Sequence, residues 1–179
     1  MPRLRANVAA AMLAIAVTGC SPLARFEGET VYTQRNLWVT DGVHETTNYR
    51  LGYRIPVNTE VRIGDTDERA IKVRVPETGE RFIVINVRDH SRRDISAIYQ
   101  RYFAPTPQDL ARFTPGERDA IRDGEIEPGM SRDAVLLARG YPPAHETESI
   151  RMREWVYWKG GHDTVVVRFD DGRVTAVED

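Results

Sequence analysis

The sequence predicts an α+β fold in which a β-rich first half is followed by a helical connector and by a region with two helices and an antiparallel sheet. Two periodicities support this prediction. Apolar and polar residues alternate in short runs such as 58–63, 71–75 and 81–87, as they do in half-buried strands. Between Ile95 and Phe103 the apolar residues recur instead at the spacing of an amphipathic helix.

The composition is that of a globular protein: 41% of the 179 residues are hydrophobic and 29% are charged. The formal net charge is −2, so no strongly basic face is required and nucleic acid is not expected as a partner. Cys20 is the only cysteine, which leaves no disulfide within the chain. The fold therefore depends on its hydrophobic core.

Residues 1–19 have the order of an export signal. Two arginines precede an apolar run over 8–17, which is too short to span about 30 Å of hydrocarbon as a helix. The sequence Val17-Thr18-Gly19-Cys20 then resembles the lipobox of bacterial lipoproteins. That resemblance implies cleavage before Cys20 and acylation of the cysteine on its sulfur and, in many bacteria, on its nitrogen. The alternative is an ordinary secretory signal that ends in a small residue.

Cys20 is thus the expected membrane anchor, and residues 20–29 are expected to form a tether, because Pro22 and Gly28 stand there among polar residues without periodicity. Serine, not aspartate, follows the cysteine. By the sorting convention of enterobacterial lipoproteins, that resemblance indicates the outer membrane, with the folded protein facing the periplasm.

Residues 30–90 are predicted to form a small β-barrel or meander, because several short strand-like runs are separated by turn sequences. The predicted turns lie at 41–42, 64–67 and 76–79. The run 55–63, followed by these hairpins, resembles an SH3-like barrel. Domains of that kind bind peptides or cell-wall material through aromatic residues at one edge.

The resemblance makes Trp38 and Tyr53 candidates for an interaction surface, together with Tyr32 and Tyr49. The alternative for all four is packing in the core or at its rim.

A helical connector is predicted over 91–113. Ser91 is expected to cap its first helix, with Asp94 at the capping-box position. The apolar stripe of this helix is expected to cover the open face of the preceding sheet, although docking on a partner is the alternative. Arg88, His90, Arg92 and Arg93 form a basic patch just before it, suited to anionic headgroups or phosphates, or else simply solvated.

Residues 114–179 are predicted to contain two capped helices and three strands. Thr114 and Glu117 fit a capping box, and Ser131 caps a second helix that is apolar almost all round at 134–138. Three strands follow, over 154–158, 164–169 and 173–177. A two-residue turn at Asp171-Gly172 would pair Phe169 with Val174 and Val167 with Ala176.

A family resemblance is carried by the motif residues of this region. They are Ile126, Gly129-Met130-Ser131, Val135, Gly140-Tyr141-Pro142, Trp155, Tyr157, Val165, Val167, Phe169 and Asp171-Gly172-Arg173-Val174. Their order and spacing resemble the SmpA/OmlA (BamE-like) family of outer-membrane lipoproteins. The resemblance implies a compact αα-βββ fold and a role in stabilising envelope complexes by contact. It covers the last third of the chain, and the β-rich region ahead of it departs from the family.

Trp155, Tyr157 and Trp158 are further candidates for an exposed aromatic surface. A strand sends Trp155 and Tyr157 to one side and Trp158 to the other, so at least one of these sides is expected to be core.

The sequence contains no persuasive catalytic set. The four histidines fall in predicted loops or turns, and His145-Glu146 lacks the spacing of a metal motif. We therefore expect no enzyme activity, no metal and no cofactor. The function predicted is a non-catalytic, lipid-anchored protein that stabilises or assembles an envelope complex with an unidentified protein partner. The alternative is a module that binds peptidoglycan (muropeptide) or inhibits an enzyme.

Overall fold

The computed structural model describes residues 23–160 and 163–179, which form a mixed α+β protein. The strands are β1 (Thr30–Thr33), β2 (Leu37–Val39), β3 (Val43–Glu45), β4 (Tyr53–Ile55), β5 (Glu60–Thr66), β6 (Ala70–Arg74), β7 (Arg81–Ile85), β8 (Phe103–Ala104), β9 (Glu154–Gly160), β10 (Asp163–Asp170) and β11 (Arg173–Glu178). The α-helices are α1 (Arg88–Ser91), α2 (Ile95–Tyr102), α3 (Pro115–Asp123) and α4 (Arg132–Arg139). Short 3-10 helices occupy Ala24–Phe26 and Leu110–Arg112.

The first half is a curled half-barrel. Its six-stranded sheet has the order β3-β7-β6-β5-β1-β8, and all neighbours are antiparallel except β3 and β7. The strands β2 and β4 form a separate antiparallel pair. The second half carries a three-stranded antiparallel sheet with the order β11-β10-β9. The α+β class is therefore confirmed.

Helix α2 covers the inner face of the half-barrel, as its apolar stripe predicts. Ile95, Ile98, Tyr99 and Tyr102 are buried and belong to the same core as the inward residues of the sheet. Those sheet residues are Val31, Val61, Ile63, Ile71, Val73, Phe82 and Val84. Burial of this stripe supplies the main stability of an eight-residue helix that would be marginal alone.

The start of α2 differs from the prediction. Asp94, not Ser91, is the N-cap, and its carboxylate accepts a hydrogen bond from the backbone N–H of Ala97 at 2.8 Å. Ser91 instead ends α1 and donates its hydroxyl to Asn86. Both residues are good caps, but Arg92 has a left-handed backbone with φ +50°, so no helix can continue from Ser91 and α2 starts after Asp94.

The predicted tether over 20–29 is not a tether in its described part. Leu23 is buried in the core of the half-barrel, and Phe26 stacks on Tyr99 with ring centroids 4.3 Å apart. Gly28 and Glu29 then exchange backbone hydrogen bonds with Ile63 of β5. The chain is therefore part of the fold from Leu23 onward, because an apolar leucine and phenylalanine here find a place against the sheet.

Two β-bulges explain where the predicted strands differ from the observed ones. The expected break at 64–67 is wrong in its first part, because β5 continues to Thr66 through an irregularity between Ile63 and Thr66. In the second sheet Phe169 pairs with Val174, as predicted. Val167 pairs with Val177 rather than Ala176, because the register shifts between Arg168 and Phe169.

The helices of the second region are capped as predicted. Thr114 and Glu117 form a capping box, and Ser131 accepts a hydrogen bond from Ala134. Burial alone would raise the pKa of the Glu117 carboxyl, but hydrogen bonds from Ser131 and Thr114 outweigh it and lower the pKa to about 2. Glu117 therefore holds the start of α4 against the start of α3 as a carboxylate.

The two halves pack against each other through the β1–β2 connection. The side-chain amide of Asn36 donates to the carbonyls of Ile121 and Ala138, and its oxygen accepts from the N–H of Val57. Tyr49 of the first half meets Tyr157 of the second edge to face, with ring centroids 5.1 Å apart. Residues 30–90 and 114–179 thus share one of the two cores.

A buried histidine makes the first half sensitive to acid. The Nδ1–H of His44 on β3 donates to the carbonyl of Trp38 at 2.8 Å, and its Nε2 has no partner among the described residues. Burial lowers the pKa of His44 to about 4, and Arg35 acts in the same direction. In the unfolded chain the ordinary pKa of 6.5 applies.

We expect the free energy of unfolding to fall by about 3 kcal/mol between pH 6.5 and pH 4, because the unfolded state takes up this proton first. The contribution of neutral His44 to the free energy of unfolding is fully present above pH 6.5. Urea unfolding at several pH values across that range should show that the free energy of unfolding falls more steeply with acid in the wild type than in His44→Gln. Parallel curves would contradict a buried neutral His44.

Candidate functional site

An open cleft of about 460 Å³ lies where the two halves meet. We call it the arginine pocket. It is lined by Gln34, Arg35, Arg93, Ala97, Gln100, Arg101, Gln108 and Tyr141. The β1–β2 connection supplies the first two residues, helix α2 and its entry loop supply the next four, and the loops before Leu110–Arg112 and after α4 supply the last two.

The spacing of residues on α2 explains this wall. Ile98, Tyr99 and Tyr102 face the core, so Ala97, Gln100 and Arg101 lie on the opposite flank of the helix. The core stripe and the pocket wall are two faces of one amphipathic helix.

Two arginines of the pocket are stacked on one aromatic ring. The guanidinium carbons of Arg101 and Arg35 lie 3.8 and 4.4 Å from the ring centroid of Tyr141. Arg35 also lies over Tyr102, at 5.4 Å. Each cation is attracted by the electron-rich ring face, and the stacking leaves the N–H groups of Arg101 free in the plane of its guanidinium.

Arg35 is the most buried of the three arginines. Only 6% of its surface is exposed, and its Nε donates to the carbonyl of Arg101 at 2.8 Å. One of its terminal nitrogens is buried without a hydrogen-bond partner among the described residues. Burial lowers the pKa of Arg35, although Tyr102 and Tyr141 partly offset this effect.

The positive charge of the pocket is not neutralised by the described part of the chain. Neither Arg35, Arg93 nor Arg101 forms an ion pair with any carboxylate in 23–160 or 163–179. Burial lowers the pKa of Arg101, and repulsion by Arg93 and Arg35 acts in the same direction. Three cations thus converge on one cleft.

The polar wall beside the arginines is held in place by hydrogen bonds. Gln34 donates its amide nitrogen to the carbonyls of Tyr32 and Thr106 and accepts from the amide of Gln108 at 2.7 Å. Asn58 in turn bonds both backbone groups of Gln108. The cleft is therefore preformed. Its chemistry is that of an anion site, since arginine and amide groups can bind and orient a ligand but supply no nucleophile or general base.

Two of the predicted surface residues are in the core. Trp155 and Tyr157 are 0% and 2% exposed, and they pack with Phe169 beneath α3 and α4. The prediction of an exposed surface is wrong for both. The pleat of β9 places them on the inner face of the sheet because the apolar helix α4 covers that face.

Trp158 lies on the other face of β9, half-buried, as the pleat predicts. It packs edge to face against His90 and His145, with centroids 4.6 and 5.1 Å away. The Nδ1 atoms of these two histidines are 3.2 Å apart. Trp158 therefore closes a junction between the two halves and is only partly available as a surface.

Trp38 and Tyr53 differ in exposure. Tyr53 on β4 is 45% exposed. Trp38 on β2 is half-buried with its indole nitrogen shielded from solvent, and its ring packs on Gly124. Gly124 ends α3 in a left-handed conformation, and a side chain at this position would collide with the indole. Tyr32 is half-buried and Tyr49 is buried, so Tyr53 is the most exposed of the seven aromatic candidates.

Cys20 and the rest of the export signal lie outside the described residues. No helix between Leu23 and Asp179, within the part that the structure describes, is long and apolar enough to cross a membrane. The same part contains no cluster of three or more residues suited to hold a metal ion.

Sequence reasoning found one residue of the arginine pocket and missed the others. Arg93 belongs to the predicted basic patch, whereas His90 of that patch packs on Trp158. Arg35 and Arg101 carry no local signal, since they are 66 residues apart and meet only through the fold.

No family model matches the chain, and neither does any curated protein or solved structure.

Proposed function

We propose that this protein is a lipid-anchored component of the bacterial outer membrane that acts by contact and catalyses no reaction. The observation that carries the proposal is the lipobox-like sequence ending in Cys20 together with the position of Leu23. Leu23 is already part of the core, so the intervening chain can span only about 11 Å. A lipid on Cys20 would hold the folded protein against the bilayer surface, as suits a protein that works on membrane-bound partners.

We further propose that the second region has the αα-βββ fold of the SmpA/OmlA (BamE-like) family. The order α3-α4-β9-β10-β11 supports this assignment, as do the positions of the motif residues. Gly129 has φ +89° and its N–H bonds the carbonyl of Val174, while Asp171-Gly172 forms the hairpin turn with positive φ at both residues. These glycines and the buried aromatic residues are used structurally, as residues that define a fold are.

The first region is proposed to be a variant of the SH3-like barrel. Its curled sheet and short strands support this assignment, while the parallel pairing of β3 with β7 departs from a simple meander. The partner of the whole protein is proposed to be another envelope protein. The arginine pocket favours a second candidate function, binding of cell-wall muropeptides, because their peptides carry free carboxylates.

The anchor is tested by Cys20→Ala in living bacteria. We expect the variant to move from the membrane fraction to the soluble periplasmic fraction or to stay unprocessed, because each lipid CH₂ buried contributes about 0.8 kcal/mol of anchoring. The matched Ser21→Ala variant keeps the cysteine and should stay in the membrane fraction. Fractionation followed by immunoblotting measures the effect. A cleaved Cys20→Ala protein that remains fully bound to membranes would contradict the proposal, as would a native N-terminus without fatty acid by mass spectrometry.

The two candidate functions are separated by partner capture. Crosslinking in intact cells and purification of the lipidated protein should recover envelope proteins if the first function is correct. If the protein instead sediments with purified peptidoglycan and no envelope protein is captured, the second function is favoured.

A further inference from the structure

We propose that the arginine pocket is a receptor for the free carboxylate at the end of a peptide chain. The inference does not depend on the lipid anchor, because it rests only on described residues of the folded part. The pocket carries positive charge that the described residues leave unpaired. Arg93 is exposed and Arg101 half-buried, and neither side chain donates a hydrogen bond to another residue within 23–160 or 163–179. Arg35 is buried in the wall of the pocket and adds a third positive charge that has no carboxylate partner among the described residues.

Such an arrangement is unfavourable for the empty protein. The like charges of the arginines repel one another, and a buried cation without a counter-charge is costly. Tyr141 and Tyr102 reduce this cost through their ring faces but carry no negative charge to remove it. An anionic ligand would supply the missing counter-charge.

The guanidinium groups also suit a carboxylate by their shape. A guanidinium presents N–H groups in a planar fork that matches the two oxygens of a carboxylate. Arg101 lies against the ring of Tyr141 and donates no side-chain hydrogen bond to another described residue, so its fork is available. Arg35 is turned toward the carbonyl of Arg101, so the accessible cations are Arg93 and Arg101.

Gln108 favours a peptide carboxylate over a phosphate. Its amide nitrogen donates one of two N–H groups to Gln34, so Gln108 retains one N–H and its carbonyl oxygen for a ligand. A donor and an acceptor side by side suit a peptide group, which has both, whereas phosphate oxygens cannot pair with the carbonyl oxygen. The cleft of about 460 Å³ is larger than a lone carboxylate requires and lies within the range of ligand pockets.

The test is calorimetry of a tripeptide, acetyl-Ala-Glu-Ala with a free carboxyl end, binding to the full-length protein as purified from bacteria in nonionic detergent. We expect Arg93→Glu to weaken binding by about tenfold or more, since hydrogen bonds between charged groups are among the strongest. Arg93 is exposed, so this variant should fold normally. Arg81→Glu, an exposed arginine on β7 with the same change of charge, is the matched control and should bind as the wild type.

The same tripeptide with an amidated end should bind at least about tenfold more weakly than the free acid. Equal binding of the amide, or tighter binding of inorganic phosphate, would overturn the proposal, as would an unchanged affinity in Arg93→Glu. A soluble stem-peptide fragment of the cell wall, measured in parallel, distinguishes the two sources of the carboxylate. Tighter binding of that fragment points to peptidoglycan, and tighter binding of the tripeptide points to the end of a protein chain.

Discussion

Replacing Asn36 with alanine should lower the free energy of unfolding by about 3 kcal/mol, because the substitution leaves two buried backbone groups without hydrogen-bond partners. The side chain of Asn36 is buried and bonds the N–H of Val57 and the carbonyls of Ile121 and Ala138. The carbonyl of Ala138 lies near the C-terminal end of α4, where no further helical turn can satisfy it, whereas the carbonyl of Ile121 keeps a bond from the N–H of Gly124. Alanine offers neither a donor nor an acceptor, and it also creates a cavity between the halves.

Urea unfolding followed by circular dichroism measures this loss. The matched control is Asn48→Ala, because Asn48 makes four side-chain hydrogen bonds, one more than Asn36, but makes them in a turn that is partly exposed to water. Water can replace those bonds, so we expect a loss of about 1 kcal/mol or less. Equal losses in the two variants would mean that the β1–β2 connection does not hold the halves together.

The caps and the helix α2 could be predicted from the sequence because their signals are local. Thr114 with Glu117, and Ser131 before an apolar run, specify helix starts within a few residues, and the structure uses both. The choice of Ser91 over Asp94 was wrong because Ser91 ends α1 and Arg92 then turns into a left-handed conformation. The cap pattern shows where a helix can start, but it does not show a short preceding helix that takes up one of two neighbouring candidates.

The β-bulges and the docking of Leu23 depend on packing that the sequence does not display. A bulge at Arg168 moves Val177, rather than Ala176, opposite Val167 while the predicted turn stays in place. Nothing in the run of residues 173–177 marks this shift. Likewise a segment with Pro22 and Gly28 reads as a tether until the sheet provides a site for Leu23.

The arginine pocket illustrates the same limit for function. Its charged residues come from two separate segments, and only Arg93 belongs to a local cluster of basic residues. Arg35 lies in a connection between two short strands, where an arginine is expected to be solvated. Its burial follows from Tyr102 and Tyr141, whose rings receive the guanidinium from the first and second halves of the chain.

Replacing Trp155 with alanine should destabilise the protein by about 3–5 kcal/mol, the usual cost of removing a large buried aromatic side chain. Trp155 is fully buried, lies 4.6 Å from the ring of Phe169, and contacts the guanidinium of Arg132 across its face. Alanine leaves most of the space of the indole empty, because a packed core relaxes only partly around a cavity. Its indole nitrogen has no hydrogen-bond partner among the described residues, so Trp155→Phe should cost much less than Trp155→Ala.

Trp158→Ala is the control that separates core from surface on the same strand. Trp158 is half-buried and packs mainly on His90 and His145, so we expect a loss of about 1–2 kcal/mol. Chemical denaturation of the three variants gives these values. If Trp158→Ala destabilised the protein more than Trp155→Ala, the inner face of β9 would be assigned to the wrong side. The packing of α3 and α4 on the second sheet would then be wrong as well. The motif that resembles an αα-βββ fold would then lose its structural support, because Trp155 and Tyr157 would be free to face a partner.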